Sequence, residues 1–211
     1  MANFYLKAKH WQLFVLIFVI PVTFQIILAI GVFFSLMTAA MAGQEPNPFV
    51  MFDYIKWFPL VMIFYLAAYY GWFWTIGTQL QRLVPQGVTL KVGRFKVLLL
   101  IPVIYLVAIM ILLVFIFNNF NPAAMEAGNM PDVSLLPIFM VIFIPLHFFA
   151  MFCIFHSMYF VAKTIKTVEL QREVSFGDFV AEFFMLWFYF VGIWILQPKI
   201  NKMAEALEAK G

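Results

Sequence analysis

Charge is scarce in this chain. Of 211 residues only 11% are Asp, Glu, Lys or Arg, whereas 65% are apolar. A soluble domain carries about 25% charged residues. The deficit excludes a water-facing surface, so the outside of the fold must meet lipid. Cysteine is scarcer still. Cys153 stands alone in an apolar run, which excludes an intrachain disulfide and leaves no cysteine–histidine spacing for zinc. It reads as a small buried or lipid-facing hydrophobe. Also absent are HExxH, a glycine-rich phosphate loop, a GxSxG elbow and an acidic metal-binding cluster. The expectation is a protein that is not an enzyme and needs no metal or other cofactor. The net charge of +3 is spread over several loops. No basic stripe suits a nucleic acid, so none is expected as a partner.

What the chain does have is long apolar runs with bases partitioned between them. Lys7 and Lys9 precede the first run, and Arg82, Lys91, Arg94 and Lys96 follow the second. Lys163, Lys166 and Arg172 follow the fourth, and Lys199, Lys202 and Lys210 occupy the tail. Lys56 alone falls in a connector assigned to the opposite side. Bases that alternate with each hydrophobic run mark a polytopic inner-membrane protein with its N-terminus in the cytoplasm.

The expected fold is therefore an all-α transmembrane helix bundle forming a single domain over 1–211. Four spans are assigned, at 11–38, 57–78, 97–117 and 135–162. Lys7 and Lys9 with Ala40-Met41-Ala42 mimic a secretory signal. The apolar part of such a signal is about 7–15 residues long, and 11–38 is nearly twice that, so it reads as a retained span. Its length requires tilt or a kink, and Pro21 offers the kink. Connectors at 42–52 and 118–131 carry Gly and Pro and belong on the far side. Pro137 and Pro145 should bend the fourth span.

The last apolar segment, 175–197, is expected to be re-entrant or interfacial, with a short fifth span as the alternative. Its uninterrupted apolar core is Phe183–Leu196, roughly 21 Å of helix, short for a crossing. Ser175 and Asp178 fit a capping box at its start, and Pro198 should stop it. Residues 198–211 read as a cytoplasmic tail.

Two groups of residues are candidate sites. Ala67, Gly71, Thr75 and Thr78 fall at i, i+4, i+8 and i+11. A small-residue stripe of this kind lets helix backbones approach closely and suits a packing or oligomer contact. Glu182 is the carboxylate embedded in an apolar stretch, which makes it a candidate ionisable site. Its plainer reading is a snorkelling or ion-paired side chain near the headgroups, with Arg94 and Lys96 as candidate partners. The histidines offer less. His147 and His156 lie on opposite faces of one helix, and a haem between His10 and His156 is the remaining redox option. The tripeptide Leu80-Gln81-Arg82 recurs as Leu170-Gln171-Arg172, ahead of Gly93-Arg94-Phe95 and Gly177-Asp178-Phe179 respectively. A duplicated helical hairpin would give this echo.

The stretch Glu182-Phe183-Phe184-Met185-Leu186-Trp187-Phe188, followed by Gly192-Ile193-Trp194-Ile195-Leu196-Gln197-Pro198-Lys199-Ile200-Asn201, resembles the C-terminal segment of a family of uncharacterised bacterial inner-membrane proteins. The resemblance implies bacterial origin and transfers no activity or site residue. The residues themselves point to a non-enzymatic subunit, a scaffold or accessory partner of a larger inner-membrane complex or a homo-oligomer. Its partners would be the lipid bilayer and other membrane subunits or further copies of itself. A small transporter or channel component using Glu182 is the alternative.

Overall fold

A computed structural model of the chain describes residues 4–44, 57–119 and 136–209. These residues form helices, with no strand among them. We label the helices α1 (Phe4–Lys7), α2 (His10–Phe14), α3 (Ile20–Met41), α4 (Phe58–Gln79), α5 (Val92–Asn119), α6 (Leu136–Leu170), α7 (Phe176–Trp187) and α8 (Tyr189–Ala209). Four stretches are long and apolar enough to cross a membrane: His10–Met41, Phe58–Leu83, Val92–Ile116 and Met140–Leu170.

The helices run further than the apolar residues alone suggest. Arg94 and Lys96 sit in the first turns of α5, and Lys163 and Lys166 lie inside α6. They were expected in connectors. Lys and Glu are good helix formers, and the Lys166–Glu169 pair supports the turn that carries it. The irregularity expected at Pro21 takes the form of a π turn, Val15–Val19, between α2 and α3. Within it the N–H of Ile20 bonds the carbonyl of Val15, five residues back. Proline at 21 donates nothing and crowds the carbonyl four residues behind it, so the ladder changes register just before it. The connectors expected on the far side fall mainly on 45–56 and 120–135. With Tyr54, Lys56, Glu126 and Lys210, they lie outside the described residues.

Residues 175–197 are not one helical segment. Helix α7 ends at Trp187, Phe188 takes a non-helical backbone (φ −90°, ψ 54°), and α8 resumes at Tyr189. Pro198, expected to stop the segment, lies inside α8, which continues to Ala209. The pair forms a hairpin. Met185 and Gly192 meet across it so closely that a Cβ at Gly192 would collide with the Met185 carbonyl. Contacts place both outer ends of the hairpin at the end of the bundle where α6 terminates. Arg172, just past α6, pairs with Asp178, and Lys199 pairs with Glu169 of α6. The turn itself reaches the middle of α4, where the Tyr69 hydroxyl donates to the Leu186 carbonyl at 3.3 Å.

The hairpin fills the core. Phe179, Leu186, Ile193, Leu196 and Ile200 are fully buried against Trp72, Phe73, Ile76 and Leu80 of the α4 region, Ile165 of α6, and Leu13 and Ile17. A second close approach seats Phe95 of α5. Its ring occupies the space that a Cβ at Gly77 would need and stacks on Phe160 at 4.4 Å. In lipid such tight contact, rather than exclusion of water, holds helices together. Packing is concentrated at this end, which also carries the basic residues. Beyond Pro21 no residue of α3 is buried, and none of 140–149 in α6 is.

Candidate functional site

Helix α7 begins where its sequence says it should. Ser175 is the N-cap, and its backbone N–H and hydroxyl donate to Oδ2 of Asp178 at 2.8 and 2.9 Å. The Arg172 guanidinium bonds the same carboxylate at 2.8 Å. That hydrogen bond, followed by those from Ser175, pulls the Asp178 carboxyl down to about 2. The register set by this cap puts Phe179, Glu182 and Leu186 on the buried face at i, i+3 and i+7. A carboxylate thus enters the core between two apolar side chains.

Glu182 is 2% exposed. Its Oε1 accepts from Lys166 Nζ at 3.2 Å and from Lys199 Nζ at 3.3 Å. Both lysines also reach Glu169, at 2.9 and 3.1 Å. Two lysines and two glutamates from α6, α7 and α8 therefore close into a formally neutral ring. Arg94 and Lys96, the partners considered from sequence, are not members of it. Lys96 instead lies 5.5 Å from the ring centre of Trp74. The other Glu182 oxygen and the Thr167 hydroxyl are buried without a hydrogen-bond partner. A buried ion pair gains little over an apolar pair, but losing one member strands the other and costs several kcal/mol, about 3–5. The arrangement makes the ring a specific lock between α6 and the hairpin.

Above the ring the interior is polar in a different way. Gln197 is fully buried, accepts the Trp72 indole N–H at 3.0 Å, and donates to the carbonyls of Tyr5 and Ala8, both at 2.9 Å. Asn201 donates to the carbonyls of Leu6 and Ala8. The N-terminal segment is thereby tied to α8. At the hairpin turn, Tyr65 stacks on Tyr69 at 5.6 Å, and Tyr189 stands 5.4 Å from Tyr69.

The small-residue stripe is divided among different surroundings. Ala67 is exposed, Gly71 and Thr78 are half-buried, and Thr75 is buried. Tyr5 fills the space beside Gly71, 2.7 Å from where a Cβ would stand, and donates to the Ala67 carbonyl at 3.1 Å. The two threonine hydroxyls bond carbonyls of their own helix. The three histidines occupy separate surroundings. His10 packs on Trp194, the His147 ring bonds the Tyr105 hydroxyl at 2.9 Å, and His156 neighbours Phe152 and Tyr159. No cluster of His, Cys, Asp and Glu suited to a metal occurs among the described residues.

The two copies of the repeated tripeptide meet. Gln81 bonds back to the Gly77 carbonyl and across to the Thr164 hydroxyl. Gln171 bonds back to Val168 and across to the Leu83 carbonyl. Each glutamine bonds its own helix and reaches across to the other. The two phenylalanines that follow, Phe95 and Phe179, are both fully buried.

Sequence reasoning missed Lys199 and Glu169 as ring members, Gln197 as a buried clasp, and the close approaches at Gly77 and Gly192. Only the Lys166–Glu169 spacing was visible in advance. The others depend on where the hairpin turns. No family model, curated protein or solved structure matches the chain.

Proposed function

We propose that this chain is a non-enzymatic integral subunit of a bacterial inner membrane, working as a scaffold or accessory partner in a larger assembly or a homo-oligomer. In this reading the basic end faces the cytoplasm and carries both the N-terminus and the tail. The partition of bases in the sequence supports that orientation, and the resemblance of the C-terminal segment supports the bacterial origin. One observation carries the proposal. The molecule is locked at the basic end, while no residue of Val22–Met41 of α3 or of 140–149 of α6 is fully buried. Exposed large side chains crowd these stretches, among them Ile27, Phe33 and Phe34 of α3. Such surfaces suit the helices of a neighbouring subunit.

A photo-reactive residue at Ile27 or Phe34, activated in native membranes, should capture one protein in stoichiometric yield, either a second copy or a distinct subunit. Labelling of lipid alone at both positions would overturn the reading. Gly71 is a poor place for this test, because Tyr5 already fills the space beside it.

The buried ring supports a second reading, a small transporter or channel component with Glu182 as its ionisable site. A re-entrant hairpin that carries an intramembrane carboxylate is its motive. Proton or solute flux into liposomes that disappears in folded Glu182→Gln protein would favour it. Flux that is absent, or unchanged by the substitution, would discard it.

A further inference from the structure

Between Asp53 and Glu126 the chain has no acidic residue. The α4–α5 hairpin occupies this interval with Arg82, Lys91, Arg94 and Lys96, and none of these pairs with an acid among the described residues. The other hairpin differs, since Glu169, Asp178 and Glu182 are all matched by bases. Positive charge is therefore uncompensated along the whole of the α4–α5 hairpin.

A groove of about 320 Å³ rises from that side between α4 and α5. Ala67, Gly71 and Trp74 form one wall, and Leu100, Val103 and Val107 the other. Its lining is almost wholly apolar, and Ala67, Trp74 and Leu100 are exposed along it. Lys96 stands four residues before Leu100 and seven before Val103, so it continues the same face of α5 one turn toward the basic end. Its ammonium rests over Trp74, the last lining residue of α4 in that direction. The groove thus has an apolar trough with the Lys96 ammonium at its mouth.

We propose that this groove holds one anionic phospholipid, its acyl chain lying in the trough and its phosphate against Lys96. The volume decides between occupants. A helix is about 10–12 Å across and cannot enter a trough of this size, whereas a single hydrocarbon chain can. The uncompensated lysine decides the headgroup, because a zwitterionic lipid gains less from it. A larger groove, about 500 Å³, lies between α6 and α8 with Lys199 and Lys202 on its wall. It includes Glu169 and so offers an anion less.

The test is native mass spectrometry of the full chain in mild detergent, equilibrated with equal amounts of phosphatidylglycerol and phosphatidylcholine of the same chain length. One lipid should be retained, with phosphatidylglycerol favoured about fivefold, the worth of one lysine at an anionic surface. Lys96→Gln should bring the ratio close to one while a lipid is still held. Ala67→Phe, which fills the trough from an exposed position, should abolish retention of both lipids. Lys202→Gln should change nothing. Equal retention by the unaltered protein would overturn the proposal, as would loss of preference on Lys202→Gln instead of Lys96→Gln. A photo-reactive residue at Ala67 that captures a protein rather than a lipid would overturn it too. A thermal melt of each variant separates these outcomes from misfolding.

Discussion

The buried side chain of Gln197 accepts the indole N–H of Trp72 at 3.0 Å, a bond that spans 125 residues of sequence. The same amide holds the carbonyls of Tyr5 and Ala8. One residue therefore joins the N-terminal segment, α4 and α8. Gln197→Leu keeps the volume but leaves the indole N–H in the core with no acceptor, at a cost of about 1–3 kcal/mol. The N-terminal segment loses two of its anchors as well. Trypsin should cut at Lys7 and Lys9 markedly faster in the variant, in detergent and at a temperature where both proteins are folded. Unchanged cleavage would mean that Asn201 suffices alone.

The charged ring makes a sharper prediction. Glu182→Ala leaves Lys166 and Lys199 with Glu169 as their remaining acid, and should destabilise the folded state by about 3 kcal/mol. Pairing Glu182→Leu with Lys166→Met removes one charge of each sign and leaves Lys199–Glu169 intact. That double variant should recover most of the loss. Unfolding in detergent, followed by circular dichroism, reads both. If the single variant is as stable as the parent, the ring does not hold the hairpin.

Gly192 should tolerate no side chain. An added methyl meets the carbonyl of Met185, and a backbone oxygen cannot rotate away, so α7 and α8 must separate. Gly192→Ala is expected to cost at least about 3 kcal/mol, at the upper end for overpacking. Gly177 is the internal control, since the nearest atom to its added Cβ is the Ser175 hydroxyl, 4.0 Å away. There alanine should stabilise the helix by several tenths of a kcal/mol, the usual gain over glycine. Melting temperatures that move together would contradict the hairpin geometry.

Acid should release the cap of α7. The Asp178 carboxyl is held near 2 by Arg172 and Ser175, well below its ordinary 3.8. A depressed value means that the folded state favours the ionised form. The stabilisation is complete above about pH 4 and fades as pH falls toward 2. The difference in melting temperature between the parent and Asp178→Ala should therefore be constant from pH 7 to 5 and shrink between pH 4 and 2. A difference that grows on acidification would reverse the assignment.

How much of this could be read in advance depended on whether the cause was local. The four apolar stretches were legible because lipid demands long uninterrupted runs, and the Ser175–Asp178 cap because both partners lie within one turn. The break at Phe188 left no trace. It has neither proline nor glycine at the turn itself, and the apolar run passes straight through it. What fixes the break is a crossing that only Gly192 permits. Glu182 stood out in sequence by its embedding, but neither its burial nor its bases could be read there. Lys199 reaches it only because the chain doubles back, whereas Arg94 and Lys96, at the entry of α5, stay outside the ring. The stripe containing Gly71 was visible as a pattern. Its neighbours, Tyr5 on one side and an open trough on the other, required the N-terminal segment to be in place.

The bare far half of α3 also sets how the molecule meets bilayers of different thickness. No residue of that helix beyond Pro21 is buried, so tilting it breaks no buried contact within the chain, and a thinner or thicker membrane is accommodated there at fractions of a kcal/mol per ångström. The clasp at Gln197 and the ring at Glu182 lie on the rigid side and stay undisturbed. The chain is built like a stiff base carrying a compliant strut, and variation in membrane thickness is absorbed by the strut.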